Sequence, residues 1–94
     1  MPEPLSNDAI QSALADLPGW TLEDDKLSKA YKFADFREAL AFIVRIGLEA
    51  ETVNHHPELW NVYSCVTVML STHDAGNKVT QKDVDLAKAI EGIG

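Results

Sequence analysis

One long amphipathic segment, DFREALAFIVRIGLEAETVN at residues 35–54, constrains the fold more than any other feature of this chain. Asp35, followed three positions later by Glu38, resembles a capping box and predicts where the helix begins. The helix must end by His56, because the residue before a proline, here Pro57, is disfavoured in the α region. Its predicted apolar face comprises Phe36, Ala39, Leu40, Ile43, Ile46, Ala50 and Val53. Other elements of the chain must therefore cover this face.

Two shorter helices are predicted near the ends of the chain. Ser6 is suited to cap a first helix over residues 6–17, which the Pro-Gly pair at residues 18–19 then ends. Thr80 is suited to cap a last helix over residues 81–93. Their apolar positions are Ile10, Leu14 and Leu17 in the first helix, and Val84, Ala87, Ile90 and Ile93 in the last. Each helix has one apolar stripe and needs a second layer of structure to cover it.

Strand-like patterns lie between the helices. Residues 20–33 alternate apolar and polar side chains around a turn at residues 23–26, as a hairpin does. Residues 59–72 are rich in β-branched and aromatic side chains, and they divide into two strands if a turn forms near residues 63–65. The order α-β-β-α-β-β-α predicts a single α+β domain over residues 1–94, with a four-stranded antiparallel sheet and three helices on one face. The other face of the sheet is left for solvent or assembly.

Charge and composition exclude several classes of protein. The net charge is −7 and the eight Lys and Arg residues are scattered, so we expect no direct nucleic-acid partner and no anionic membrane surface. No apolar run approaches the length of a membrane span, and the acidic start MPEPLSNDAI lacks the features of a signal peptide. A cytoplasmic protein is therefore expected. Cys65 lies in the apolar run SCVTVML, which predicts a buried, inert thiol.

Two adjacent histidines stand where the long helix must end. His55 and His56 precede Pro57, and tight turns would bring His73 beside them at one end of the sheet. Three hypotheses remain open on the residues alone: ordinary loop histidines, a three-histidine zinc site, or acid–base catalysis without a metal. Adjacent histidines are a poor pair of metal ligands, because successive side chains diverge in regular structure.

Metal-free catalysis suits these residues because imidazole can both accept and donate a proton near neutral pH. Elimination of water needs both acts, one to remove a proton and one to protonate the departing hydroxyl. Glu51 precedes His55 by one helical turn and is predicted to face it, where a carboxylate would favour an imidazolium. Asp83 and Asp85 are predicted to be surface residues of the last helix. The chain has no nucleophile elbow, phosphate-binding loop or dinucleotide motif.

The segment AETVNHHPELWNVY at residues 50–63, followed by VTVMLSTHDAG at residues 66–76, is similar to the pterin-4a-carbinolamine dehydratases. LPGW, YKFADFREALAFIVRI and KDVDLAKAIE also resemble that family, so the resemblance extends from about Leu17 to Ile90. The specific element is the combination of HHP with STHDAG at this distance. HHP alone would identify nothing.

The resemblance implies an α+β fold of this kind that assembles through its sheets into dimers or tetramers. It also implies dehydration of 4a-hydroxytetrahydropterin to quinonoid dihydropterin, which recycles tetrahydrobiopterin or another pterin. The expected partner is thus a small pterin substrate, with no metal and no cofactor. The alternative implied by relatives is a binding, assembly or coactivator module on the same fold without catalysis.

The resemblance also implies roles for individual residues. The three essential histidines of the family correspond to His55, His56 and His73, to which the spacing argument adds Glu51. The predicted substrate-binding residues are Asn54, Pro57, Trp60, Ser71, Thr72 and Asp74. Two positions depart from the animal members, because Asn54 stands where aspartate is frequent, and Leu59, followed by Trp60, stands where an aromatic residue is usual.

Overall fold

A computed structural model describes residues 3–93 and confirms the predicted α+β fold. The two ends of the predicted domain, residues 1–2 and 94, lie outside the described residues. The helices are α1 (Asn7–Leu14), α2 (Phe36–Thr52) and α3 (Gln81–Ile93), and the strands are β1 (Thr21–Glu23), β2 (Lys26–Lys32), β3 (Glu58–Val62) and β4 (Cys65–Leu70). The antiparallel sheet has the order β1-β2-β4-β3, so the two hairpins join through β2 and β4. Within the described residues, no helix is long and apolar enough to cross a membrane.

Both hairpins turn through residues with positive φ. Asp24 and Asp25 have φ of 51° and 62°, which is the pattern of a type I′ turn. Its backbone twist matches that of the flanking strands, and aspartate tolerates the left-handed region. The turn at residues 63–64 confirms that the second apolar run forms two strands, and there Tyr63 has a φ of 53°.

The predicted helix starts are confirmed. The hydroxyl oxygen of Ser6 accepts a hydrogen bond from the Ala9 N–H, in the first turn of α1, at 3.1 Å. At α2, Asp35 Oδ1 accepts from the Glu38 N–H at 2.9 Å. Glu38 Oε1 accepts in turn from the N–H of Ala34, one residue before the usual partner in a capping box. The bonds accepted by Ser6 and Asp35 satisfy N–H groups that a helix start leaves without partners.

The α1 helix is shorter than predicted. It ends at Leu14, because the chain then tightens into bonds of the 3-10 type, in which the Leu17 N–H donates to the Leu14 carbonyl at 3.1 Å. The Leu17 side chain is nevertheless buried, as the apolar pattern predicts. Helical spacing thus identified the buried residues correctly but overestimated the length of the helix.

Only part of the predicted apolar face of α2 is buried. The buried residues are Ala39, Phe42, Ile46 and Ala50. Phe36, Leu40 and Val53, which were also expected to pack inward, are 53%, 47% and 59% exposed. The helix packs against the sheet and α3, so only a narrow stripe of its surface is covered. Ile43, at the edge of this stripe, is partly buried against the core.

The prediction that Cys65 is buried is wrong. Successive side chains of a strand point to opposite faces of the sheet. In β4, Val66, Val68 and Leu70 are completely buried beneath the helices, which places Cys65 on the outward face, where it is exposed. An apolar run indicates a strand but does not show which residues face the core.

A polar cluster ties α3 to the first hairpin. The Glu91 carboxylate accepts hydrogen bonds from Trp20 Nε1 at 3.1 Å, from the Lys29 ammonium, and from the Tyr31 hydroxyl at 3.3 Å. The Lys29 Nζ also lies 4.8 Å from the centre of the Tyr31 ring. Burial, and then the neighbouring Glu91 charge, raise the pKa of Tyr31 well above its usual range.

This raised pKa predicts a loss of stability at alkaline pH. Tyr31 in the unfolded chain loses its proton near pH 10, whereas the folded protein keeps it, so the free energy of unfolding falls as pH rises above about 10. Tyr31→Phe should make that fall shallower. Denaturant unfolding between pH 8 and 11 measures it, with Tyr63→Phe, a change at an exposed ring, as the matched control. Equal slopes in the wild type and both variants would contradict the prediction.

Candidate active site

The antiparallel pairing of β3 and β4 brings the two histidine segments together. Glu58 pairs with Met69, and extending that register by two residues places His56 opposite Ser71. His73 follows almost at once, in a short 3-10 turn. The histidine pair and the STHDAG segment therefore meet at one end of the sheet, as the sequence predicts.

The end of α2 directs the two adjacent imidazoles. Asn54 has a φ of 51°, its N–H donates to the Glu51 carbonyl, and the His55 N–H donates to the Ala50 carbonyl, both at 3.1 Å. These bonds form a Schellman motif, which needs a left-handed residue just beyond the helix. Asparagine is one of the few residues other than glycine that adopt this conformation readily. Asn54 thus reverses the chain so that His55 and His56 leave the helix axis.

His55 is the least exposed of the three histidines and is bound to a buried carboxylate. Its Nε2 lies 2.6 Å from Asp83 Oδ1, and the two side chains are 10% and 0% exposed. Asp83 Oδ2 accepts from the Thr80 N–H and the Thr72 hydroxyl, both at 2.8 Å. Both oxygens of this buried carboxylate are therefore satisfied. In the neutral ring the bond to Asp83 places the proton on Nε2 and leaves Nδ1 as an acceptor.

The prediction that Asp83 is a surface residue is wrong, whereas Asp85 is exposed as expected. Asp83 belongs to the cap of α3: the Thr80 hydroxyl accepts from the Lys82 N–H at 3.2 Å, and Asp83 accepts from the Thr80 N–H. The pattern T-x-x-D before an apolar run is a variant of the capping box. That pattern could have placed Asp83 at the helix start, although it does not reveal that His55 packs against it.

Glu51 contacts a different histidine from the one predicted. Its Oε1 lies 2.8 Å from His56 Nε2, and not beside His55. The difference arises because the Schellman turn moves His55 off the helical track that would have stacked it on Glu51. The two side chains are 77% and 59% exposed, so their attraction contributes little to stability.

His73 is exposed and is oriented within its own loop. Its Nδ1 lies 3.3 Å from Asn77 Oδ1, and because an amide oxygen can only accept, it is the Nδ1–H group of His73 that donates. The three imidazoles thus have three different oxygen partners. Among residues 3–93, no three His, Cys, Asp or Glu side chains gather in a way that could hold a metal ion.

These groups surround an open cleft of about 270 Å³. Its lining residues are Asn54, His55, His56, Ser71, Thr72, His73, Asp74 and Lys82. Pro57 lies in an adjoining depression, which shares His56, Ser71 and His73 with the cleft. Lys82, which the sequence did not single out, is thus brought to the site by the start of α3.

Trp60 does not line the cleft. It pairs with Thr67 on the outward face of the sheet, where its indole N–H donates to Glu58 at 3.2 Å. Because strand side chains alternate, it is the neighbouring Leu59 that packs towards the helices. The structure therefore separates Trp60 from the other predicted substrate-binding residues.

The cleft is lined by side chains of the kinds that accept and donate protons in general acid–base catalysis. His55 and His56 follow the end of α2, while His73 lies in the 3-10 turn that follows β4. Two imidazoles on different segments can act as an acid and a base on a single substrate placed between them. The hydroxyl of Ser71 and the carboxylate of Asp74 add polar groups that can orient such a substrate.

Comparisons with known proteins identify the family and the fold of this chain. The family described as pterin 4 alpha carbinolamine dehydratase matches residues 3–93. Putative pterin-4-alpha-carbinolamine dehydratases of Opitutus terrae and Rhizobium rhizogenes are 56% and 54% identical, covering 99% and 95% of this chain and 96% and 89% of their own. The crystal structure of a transcriptional coactivator/pterin dehydratase from Brucella melitensis superposes with a TM-score of 0.91, at 35% identity, over 97% of this chain and 98% of that one. This chain belongs to the pterin-4a-carbinolamine dehydratase family.

The buried pair predicts different effects at two neighbouring aspartates. The two carboxylate oxygens of Asp83 now accept from His55, Thr72 and Thr80. Asp83→Asn keeps only one accepting oxygen, so at least one of these donors loses its partner. The free energy of unfolding should therefore fall by about 1–3 kcal/mol. If the amide N–H group turns to His55, the ring must move its proton to Nδ1, which imidazole ¹⁵N shifts would report. Asp85→Asn, the exposed control, should stay within about 0.5 kcal/mol of wild type. Equal losses in both variants would count against the buried network.

Proposed function

We propose that this protein is a pterin-4a-carbinolamine dehydratase acting on 4a-hydroxytetrahydropterin. The observation that carries the proposal is the convergence of His55, His56 and His73, from two separate segments, on one cleft beside Ser71 and Asp74. Membership of the family and the names of relatives that align along nearly their whole length support it.

The reaction is an elimination across the C4a–N5 bond of the pterin. A base removes the proton from N5, and the electron pair of the N5–H bond forms the N5–C4a double bond. The C4a–O bond breaks as this double bond forms. The hydroxyl departs as water after it receives a proton, and the product is the quinonoid dihydropterin. The ring is neither oxidised nor reduced overall, so two proton-transfer groups suffice and the proposal assigns no metal or cofactor.

In the proposed mechanism, His73 and one histidine of the adjacent pair share the two proton transfers. Asp83 is a positioning residue for His55, because it holds the ring through Nε2. Glu51 has the corresponding contact with His56. The remaining histidine of the pair positions the substrate.

The proposed binding residues contribute in different ways. Asn54, Ser71 and Asp74 offer polar groups in the cleft, and Pro57 shapes its adjoining wall. Thr72 also lines the cleft, but its hydroxyl is taken by Asp83 and Thr80, so we assign it to the support of His55. Trp60 has no assigned contact with the pterin within one chain.

His73→Ala tests the proposed chemistry. General acid–base catalysis raises the rate of a reaction by roughly 10²–10⁴-fold. After the spontaneous dehydration rate is subtracted, the kcat of the variant should therefore be at least about 100-fold below that of the wild type. Stopped-flow absorbance on chemically generated 4a-hydroxytetrahydropterin measures the rate, and a melting curve verifies the fold of the variant. Near wild-type turnover would disprove the assignment. Activity that disappears with a chelator and returns with zinc would instead favour the metal hypothesis.

A second candidate function, protein binding, is favoured by one observation. The apolar stripe of α2, defined as Phe36, Leu40, Val44 and Leu48, is 47–66% exposed along the helix. Exposed apolar rows of this kind mark interaction surfaces in soluble proteins. The similar protein from Brucella melitensis is named a transcriptional coactivator as well as a pterin dehydratase. A stable complex with a larger protein, together with no dehydratase activity, would favour this alternative.

We propose that the partner of the α2 stripe is a second copy of the same chain. The stripe residues are spaced four apart, so they lie along one side of a helix and suit packing against an identical helix. Arg37 lies beside one end of the stripe and Glu51 beside the other. Antiparallel pairing would therefore bring opposite charges together at both ends. Self-assembly would also cover apolar surface that a chain of 94 residues leaves open.

Two matched valine substitutions locate the contact between copies. Val44→Lys, in the α2 stripe, should shift the protein towards lighter species in sedimentation velocity, because it places a charge in an apolar contact. Val62→Lys, on the outward face of the sheet at similar exposure, should not. The chain has a mass of 10.3 kDa, so monomers and dimers are readily distinguished. Dissociation by Val62→Lys alone would place the contact on the sheet.

A further inference from the structure

Two buried threonine hydroxyls lie behind the histidine cleft. Thr72 follows β4 and Thr80 immediately precedes α3. Their side chains are buried, and their hydroxyl oxygens lie 2.7 Å apart. Thr80 is not among the residues that line the cleft, and none of the proposed proton transfers uses it. In the part of the chain that the structure describes, every buried side-chain nitrogen and oxygen has a hydrogen-bond partner, so these hydroxyls belong to a complete network.

The direction of each hydrogen bond in this network follows from the donors available. A threonine hydroxyl has one hydrogen, and Thr72 donates its hydrogen to Asp83 Oδ2 at 2.8 Å. Thr80 must therefore donate to Thr72, while its own oxygen accepts from the Lys82 N–H at 3.2 Å. The bonds run one way, from the first turn of α3 through Thr80 and Thr72 to Asp83. We call this series the threonine chain.

Asp83 connects the threonine chain to the cleft. Its Oδ2 accepts from Thr72, and its Oδ1 lies 2.6 Å from His55 Nε2. The two oxygens belong to one planar group, so a rotation that weakens the bond to Thr72 also moves the atom that holds the imidazole. Hydrogen bonds in a buried chain strengthen one another, so the loss of one bond weakens the next. The position of the His55 ring therefore depends on residues that do not touch it.

We propose that Thr80 is a positioning residue for His55 and acts through Thr72 and Asp83. The proposal rests on the dehydratase function. The Thr80 hydroxyl fixes the direction in which the Thr72 hydroxyl points, Thr72 holds one oxygen of Asp83, and the other oxygen holds the imidazole. A displacement of about 1 Å at a reacting group can cost about 100-fold in rate, so a smaller displacement passed along the chain is measurable.

Two substitutions at Thr80 separate its hydroxyl from its volume. Thr80→Val replaces the hydroxyl with a methyl group, and Thr80→Ser keeps the hydroxyl. The Thr80 N–H, which also donates to Asp83, remains in both variants. We expect Thr80→Val to lower kcat/KM for 4a-hydroxytetrahydropterin about tenfold, and Thr80→Ser to stay within about twofold of wild type. Equal losses in the two variants would overturn the proposal.

A stability control separates positioning from a weakened fold. Ile90→Val removes one methylene from a buried side chain of the same helix, which lowers stability and leaves the threonine chain intact. Measured well below the melting temperature of each variant, the kcat/KM of Ile90→Val should equal that of the wild type. A loss in Ile90→Val as large as that in Thr80→Val would show that the effect is one of stability alone.

A double-mutant cycle tests whether Thr80 acts through Thr72. Thr72→Val should lower kcat/KM about tenfold or more, because Asp83 loses a donor directly. In that background, Thr80→Val should have less than about a twofold further effect, because the path to Asp83 is already broken. Losses that multiply would mean that the two hydroxyls act independently, contrary to the proposal.

The double variant also guards against a single variant that does not fold. It removes both partners of the 2.7 Å contact, which disturbs a buried site less than leaving one hydroxyl unpaired. Its kcat/KM should match that of Thr72→Val. A wild-type value in the folded double variant would overturn the role of the threonine chain.

Imidazole ¹⁵N shifts report on the ring directly. The Nε2 signal of His55 should move in Thr80→Val and keep its wild-type position in Thr80→Ser, because only the first variant breaks the chain that holds Asp83. The signals of His73, whose partner is Asn77, should not move in either variant. A reduced kcat/KM with an unchanged His55 signal would contradict the proposed path.

The outcomes distinguish this proposal from the one on which it rests. A wild-type protein that does not accelerate dehydration of 4a-hydroxytetrahydropterin overturns the dehydratase function, and the positioning role with it. An active wild type whose kcat/KM is unchanged in folded Thr80→Val overturns the positioning role alone.

Discussion

The buried carboxylate of Asp83 is the constraint on which the site depends. It receives the N–H that starts α3, the hydroxyl at the end of β4 and the imidazole that leaves α2. An unpaired charge at this depth would cost several kcal/mol, so the three elements must converge on it for the fold to be stable. The same convergence fixes the ring of His55. The carboxylate that stabilises the start of α3 therefore also sets the geometry of the candidate active site.

Backbone geometry brings the two histidine segments together. Antiparallel pairing sets the start of β3 beside the end of β4, and the left-handed Asn54 turns the chain away from α2. The histidines then need only short connections to meet. Rigid elements on each side hold a site more exactly than free loops would. The exposed histidines, His56 and His73, rely on local contacts with Glu51 and Asn77 instead.

Sequence reasoning succeeded for the helix starts and for the order of the elements. Ser6, Asp35 and Thr80 marked the helix starts, and the element order led to the layers, because caps and periodicity depend on neighbours within one turn. It failed where the outcome depends on which face a side chain takes. Cys65 and Trp60 point outward, and Phe36 and Leu40 lie beyond the covered stripe of α2. A pattern of apolar residues does not say how wide a face its neighbours will cover.

The sequence by itself determined the α+β order, the end of the long helix before Pro57, and the presence of three histidines near strand ends. Only the tertiary structure decided how they are held. Glu51 contacts His56 and not His55, and Asp83, twenty-eight residues beyond His55, becomes its buried partner. The pairing of His55 with Asp83 joins segments that are distant in the chain, and the pairing of Glu51 with His56 depends on how the chain turns after α2. The position of Asp83 depends on how α2, β4 and α3 pack together, and no spacing along one segment contains that information.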